Sequence, residues 1–292
     1  MTIRKAVILA AGFGTRFLPA TKIIPKEMLP ILDRPVIQYI VEEALAAGLD
    51  HIILVTNAAK RAIEQHFAPQ PDLQDLLART GKRDLLDTLE RLSSVSLAVV
   101  DQEERRGNGH AVLVARHLIG DDPFAIFFPD DVIFHDVPAI KQLVDVHDRL
   151  GGTVLAVQQV PDHQISRYGI IAAQPIEPRL HRVTAVVEKP AREDAPSNLA
   201  TVGRFVAGPG FLDVLAQTPP GRAGEIWLMD AFHTLAQTQP LYAYEFEGAR
   251  FDCGNPLGLL QASLHQALRD QTLAPDLRTH LRALSDPANR SS

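Results

Sequence analysis

Residues 5–30 read KAVILAAGFGTRFLPATKIIPKEMLP. The stretch opens on a short apolar run, passes into a glycine-rich turn, and then threads Arg16, Lys22 and Lys26 between prolines. The run from Lys5 to Ala10 does not alternate, which is the pattern of a strand buried on both faces of a parallel sheet. Gly12 and Gly14 follow at once, where a backbone approaches another group closely or takes a positive φ at little cost. Amide N–H groups in such a turn can point at phosphate oxygens while nearby Arg and Lys supply the opposing charge. The segment predicts an α/β fold whose first strand delivers a polyphosphate-binding loop.

Two other phosphate loops compete for these residues. A dinucleotide fingerprint needs G-x-G-x-x-G opening a helix, with an acidic residue at the end of the second strand. Phe17 stands where the third glycine belongs, and the next apolar run, His51 to Thr56, ends in Thr56-Asn57. The G-x-x-x-x-G-K-[ST] loop is absent, and prolines 19, 25, 30 and 35 forbid an uninterrupted helix directly after the turn.

At 292 residues with 46 % hydrophobic side chains the chain can bury a substantial core. A net charge of −6 gives no basic field for nucleic acid, so any phosphate binding has to come from local residues. The single cysteine, Cys253, excludes an intrachain disulfide and fits a reducing compartment. Arg4 and Lys5 before AVILAA imitate a signal peptide, but the apolar stretch runs into Gly12 and Arg16, so it is read as a strand and the expected location is cytoplasmic. No stretch approaches the roughly 20 apolar residues of a membrane span.

From Lys5 to about Leu150 apolar runs alternate with helical patterns, which implies βαβ crossovers and a mostly parallel, Rossmann-like sheet with helices on both faces. Pro35, an apolar face from Val36 to Leu45, and Gly48 mark one amphipathic helix. Residues 59–92 read as a charged helical excursion, 95–100 as a strand, 108–118 as a helix, and Phe124 to Phe128 as a buried strand ending in Pro129-Asp130-Asp131. Beyond Leu150 the runs 152–160, 168–173 and 181–188 predict a mixed β extension, and helices at about 225–238 and 255–270 flank a strand at 241–246. The expected organisation is two halves, 1–150 and 151–275, sharing one sheet, with a solvated tail over 276–292.

Gln102 and Gly107 lie between a strand and a helix, and a carboxamide offers both a donor and an acceptor to the edge of a base. Asp130 and Asp131 at a strand terminus suit Mg²⁺, which takes carboxylate oxygen, water and substrate phosphate; as turn formers or helix caps they need no metal. His110 at a helix start and the lone thiol of Cys253 read as packed structural residues.

The spacing G-x-G-T-R-x(9)-K from Gly12 to Lys26 resembles the signature of the sugar-nucleotide pyrophosphorylases, and most of all their bacterial uridylyl-transferring members. The resemblance extends to Asp252 in R-F-D-C-G-N, to Val187-Glu188-Lys189-Pro190, to Tyr168-Gly169-Ile170, to Val202-Gly203-Arg204 and to Gly224-Glu225-Ile226. It implies an enzyme that makes UDP-glucose and pyrophosphate from UTP and glucose 1-phosphate. Arg16, Lys26 and Lys189 would be catalytic, and Ala10, Ala11, Gly12, Gly14, Thr15, Gln102 and Gly107 would hold the nucleotide. Gly169, Glu188 and Val202 would hold the sugar, and Asp130 and Asp252 would carry Mg²⁺. A homodimer or homotetramer is implied by the same likeness. The chain departs from the family pattern at Asn108, which replaces leucine, and at Trp227 and Met229, which replace glutamine and threonine. A sibling enzyme using dTTP or another hexose 1-phosphate, a catalytically silent nucleotide-binding protein, and a nicotinamide-dependent oxidoreductase are the alternatives, the last disfavoured by the missing acid after Thr56.

Overall fold

The computed structural model describes residues 3–285. Its strands in chain order are β1 (Lys5–Leu9), β2 (Pro30–Ile31), β3 (Arg34–Pro35), β4 (His51–Thr56), β5 (Leu97–Asp101), β6 (Phe124–Phe127), β7 (Asp131–Phe134), β8 (Thr153–Gln159), β9 (Gly169–Glu177), β10 (Leu180–Glu188), β11 (Leu199–Ala207), β12 (Leu241–Glu245) and β13 (Ala249–Asp252). The helices are α1 (Val36–Ala46), α2 (Arg61–Phe67), α3 (Pro71–Arg79), α4 (Arg83–Ser93), α5 (Asn108–Val114), α6 (Arg116–Ile119), α7 (Ala139–Leu150), α8 (Phe211–Gln217), α9 (Leu228–Thr238), α10 (Pro256–Arg269) and α11 (Ala274–Ser285).

One nine-stranded sheet runs β5-β4-β1-β6-β11-β8-β12-β10-β9, while β13 and β7 pair as a separate antiparallel ribbon. β5, β4, β1 and β6 are parallel neighbours, as the alternating pattern of the first half implies. The rest is more mixed than a mostly parallel sheet: β11 enters antiparallel to both β6 and β8, and β10 is antiparallel to β12 and β9. Of the nine residues of β11 only Val202-Gly203-Arg204 stands out in the sequence, as part of the family resemblance. All nine form a central strand, buried at every position after Leu199.

The first strand shows why its sequence does not alternate. Ala6 and Ile8 pack into a cluster with α1 and α7, whereas Val7 packs into a second cluster with α5, α8 and α9. β4 and β6 divide their residues between the same two clusters. The sheet is covered on both faces, so each apolar position has a core to enter. The part of the expected solvated tail from residue 276 to Ser285 is helical, within α11, which buries none of its residues. Residues 286–292 of that tail lie outside the described residues. Among the described residues no helix is long and apolar enough to cross a membrane.

One charge lies at the centre of this core. Arg204 on β11 is fully buried, and its guanidinium donates to both carboxylate oxygens of Glu43 on α1 at 2.7–3.1 Å. It also donates to the carbonyls of Gly203 (2.8 Å) and Asp131 (2.6 Å), so it ties α1, β11 and the turn after β6 together. Removing one member of such a pair leaves an uncompensated buried charge. Glu43→Ala should lower unfolding stability by about 3–5 kcal/mol in urea titrations; a loss below about 1 kcal/mol, the size of an exposed pair, would show that the clasp does not hold these elements.

Candidate active site

The carboxyl ends of β1, β5 and β6 meet at one edge of the sheet, where open α/β sheets form their crevices. β1 leads into a loop of short 3-10 turns in which Gly14 sits in the left-handed region (φ 68°). A Cβ on Gly14 would lie 3.0 Å from the Cβ of Lys26, so this glycine lets the loop fold back onto its own lysine. A buried ion pair absent from the sequence reading fixes the start of the loop. Lys60 donates to both oxygens of Glu27 at 2.9 and 2.8 Å and to the carbonyl of Ala10 at 2.6 Å. Ala10 is therefore buried and its carbonyl is taken, which makes it a support of the loop, whereas Ala11 and Gly12 line a cavity of about 510 Å³.

Gln102, Gly107 and Lys26 line that same cavity. Gln102 is buried, and its Nε2 donates to the Gly107 carbonyl and to Nδ1 of His110, each at 3.1 Å. Both amide hydrogens are thus held by the protein, leaving Oε1 as the acceptor for a guest. Gly107 has φ 94°, and a Cβ there would lie 2.5 Å from the Ile226 carbonyl, so a side chain would push apart the two loops that form the cavity. His110 holds Gln102 through Nδ1; burial first, and then Arg106, lower its pKa.

The two consecutive acids after β6 have opposite tasks. Asp131 is buried: Oδ1 accepts from Arg250 Nε at 2.7 Å and Oδ2 from the Gly203 N–H at 2.9 Å. Burial raises its pKa in spite of Arg250. Asp130 turns the other way and pairs with Lys26, Nζ to Oδ2 2.5 Å. Burial works against both charges of this pair, yet their mutual attraction prevails, lifting the Lys26 pKa and holding the Asp130 carboxyl below the ordinary carboxylate range.

Asp252 ends β13, whose ladder places it directly opposite Asp131. A Cβ on Gly254 would lie 2.4 Å from Asp130 Oδ2 and 3.0 Å from Asp252 Oδ1, so carboxylates more than a hundred positions apart in sequence converge on one point. The convergence expected from sequence is present. Arg167, which the sequence reading did not single out, reaches Asp252 Oδ2 at 3.4 Å. Cys253 is packed beneath, its thiol pKa pushed up by burial and by the surrounding aspartates.

A second cavity of about 280 Å³ shares Asp130, Asn108 and Phe128 with the first. Asp252, Gly169, Glu188 and Lys189 line it, and so does Arg16, whose Nη1 is 3.5 Å from the Gly254 carbonyl. Lys189 pairs with Glu188 Oε1 at 2.9 Å and has φ 46°, a conformation a side-chain-bearing residue holds only where its surroundings impose it. Val202 does not face this cavity. It is buried in the core, and the strand alternation of β11 presents its neighbours Thr201 and Gly203 to the cavity instead. Thr15 stays on the loop, opening the turn that carries Arg16.

Residues 5–268 match the family model described as Nucleotidyl transferase. The chain is 46 % identical over 283 residues to the UTP--glucose-1-phosphate uridylyltransferase of a Staphylococcus epidermidis strain, an alignment covering 97 % of this chain and 98 % of that protein. It is 47 % identical over 283 residues to UTP--glucose-1-phosphate uridylyltransferase 2 of a Staphylococcus saprophyticus strain, with the same coverage. The crystal structure of UDP-glucose pyrophosphorylase complexed with UDP-glucose superposes with a TM-score of 0.84 at 38 % identity, covering 92 % of this chain and 100 % of that one. A UTP-bound UGPase from Acinetobacter baumannii gives 0.88 at 38 % identity, covering 97 % and 100 %. Matched by that family model over residues 5–268 and 46 % identical to such a transferase over 97 % of its length, this chain belongs to the nucleotidyl transferase family.

Proposed function

We infer that this chain transfers the uridylyl group of UTP to glucose 1-phosphate, giving UDP-glucose and pyrophosphate. One observation carries the reading: the two cavities meet at Asp130, with Gln102 in the lining of one and Glu188 and Lys189 in that of the other. A nucleotide laid from Gln102 toward Asp130 ends its α-phosphate where the second cavity begins. The parallel, Rossmann-like half over residues 1–150 would hold the nucleotide, and residues 151–275 the sugar phosphate. The free Oε1 of Gln102 accepts from the N3–H of uracil, whereas cytosine presents a lone pair at N3. Thymine shares the N3–H, which keeps a dTTP-using sibling as the alternative.

A phosphate oxygen of the sugar attacks the α-phosphorus, the bond to the bridging oxygen breaks, and pyrophosphate departs. The attacking oxygen is already an anion, so no side chain has to remove a proton. Positioning and charge neutralisation remain for the protein to supply. Lys189 and Glu188 orient the sugar phosphate, Lys26 reaches the nucleotide phosphates, and Arg16 approaches the reacting centre from the loop. Among the described residues no cluster of three or more His, Cys, Asp or Glu side chains forms a metal cage. Two converging carboxylates fit Mg²⁺ all the same, because this ion keeps water and phosphate as its other ligands. When bound by Asp130 and Asp252, Mg²⁺ would supply neutralisation of phosphate charge.

Lys189→Ala should raise the KM for glucose 1-phosphate and leave that for UTP nearly unchanged, while Arg16→Ala should lower kcat roughly 10²-fold to 10³-fold in steady-state assays of pyrophosphate release. Near wild-type kinetics in both variants would refute the assignment. Asp252→Asn should weaken Mg²⁺ binding at least about tenfold by calorimetry, and undiminished binding would remove Asp252 from the metal site.

A further inference from the structure

Two departures from the family pattern, Asn108 and Trp227, meet in space at the 280 Å³ cavity. Trp227 is the only tryptophan in the chain. The Lys189 Nζ lies 5.1 Å from its ring centroid, within the range of a cation–π contact, and pairs with Glu188 on another side. The Lys189 side chain is 45 % exposed, and a four-carbon stem held by one carboxylate keeps many rotamers. The indole ring removes part of that freedom and keeps the ammonium over the cavity.

Trp227 is also part of a wall. Trp227, Glu188 and Lys189 line both this cavity and a neighbouring groove of about 840 Å³, which Pro219, Pro220 and His233 also line. The wall stands where it does because its backbone is fixed from the nucleotide side. Trp227 is the N-cap of α9, and the N–H of Leu228, the first residue of the helix, has no partner within it. Asn108 Oδ1 accepts from that N–H at 2.8 Å. The preceding residue is held from the same loop: the Ile226 N–H donates to the Arg106 carbonyl and the Ile226 carbonyl accepts from the Gly109 N–H, both at 2.8 Å. A leucine at 108 has no atom that could accept from Leu228.

We propose that Trp227 is a specificity-determining residue, holding Lys189 over the hexose 1-phosphate and closing that cavity against the adjacent groove, and that Asn108 is the residue that positions it. The inference rests on the assignment of Lys189 to the sugar phosphate. Trp227→Gln raises the KM for glucose 1-phosphate about 3-fold to 10-fold, the range of a partly desolvated cation–π contact, and leaves the KM for UTP within about 2-fold. Its kcat/KM for N-acetylglucosamine 1-phosphate relative to glucose 1-phosphate rises, because the cavity then opens into the groove. Trp227→Phe keeps an aromatic face and loses less. Asn108→Leu raises the KM for glucose 1-phosphate in the wild-type background and adds nothing in the Trp227→Gln background.

A second readout does not depend on turnover. UDP-glucose titrated into the full chain changes the emission of the single tryptophan, and the change disappears in Lys189→Ala. An unchanged KM for glucose 1-phosphate in Trp227→Gln, an equal loss in Trp227→Phe, or UDP-glucose bound by calorimetry without any change in emission would each overturn the proposal. If Lys189→Ala itself leaves the KM for glucose 1-phosphate unaltered, the assignment of Lys189 falls and this inference falls with it. An effect of Lys189→Ala with none from Trp227→Gln defeats the present inference alone.

Discussion

The site depends on Asp131, a buried acid in the wall of the 280 Å³ cavity whose carboxylate is taken up by protein partners. Its two oxygens are taken by Arg250 and by the Gly203 N–H, and its carbonyl by Arg204. These contacts fix three things at once: the turn that presents Asp130, the central strand β11, and the β13 strand that carries Asp252. Two carboxylates repel, and bringing Asp130 and Asp252 to one point needs a framework that will not yield. The buried Arg250–Asp131 and Arg204–Glu43 pairs provide it. Their net contribution to stability is small or negative compared with apolar packing, so their value lies in geometry.

A chain with net charge −6 nevertheless concentrates a few cations around the two cavities at one edge of a sheet. Each is held by a carboxylate: Lys26 by Asp130, Lys189 by Glu188, Arg167 by Asp252. The loop itself is kept in register by Lys60, whose ammonium binds Glu27 and the Ala10 carbonyl together. Lys60 is nearly buried, and desolvation lowers its pKa despite the attraction of Glu27.

Much of this was legible in the residues, and what escaped has a physical reason. β1 and its loop announced themselves through an unbroken apolar run and two glycines, and the Asp130–Asp252 convergence followed from a family likeness. Arg204 gave a signal that went unread: a charge inside LATVGRFVA has to be paired if the stretch is a buried strand, and its partner Glu43 lies 161 positions away. Val202 was placed in the sugar wall by motif alone, yet period-two alternation sends it to the core and its neighbours to the cavity. Long-range ion pairs such as Glu27–Lys60 leave no periodicity behind, so only the fold reveals them. The same holds for Asn108, whose capping partner is 120 residues further on.

The central claim is that the cavity read by Gln102 and the cavity bearing Lys189 form one reaction path. Initial rates of pyrophosphate release, measured for UTP, dTTP, CTP and GTP against several hexose 1-phosphates, test it most directly. The account predicts UDP-glucose and equimolar pyrophosphate from UTP and glucose 1-phosphate, with no turnover of CTP. Pyrophosphate released without a sugar phosphate, or CTP used as readily as UTP, would contradict it.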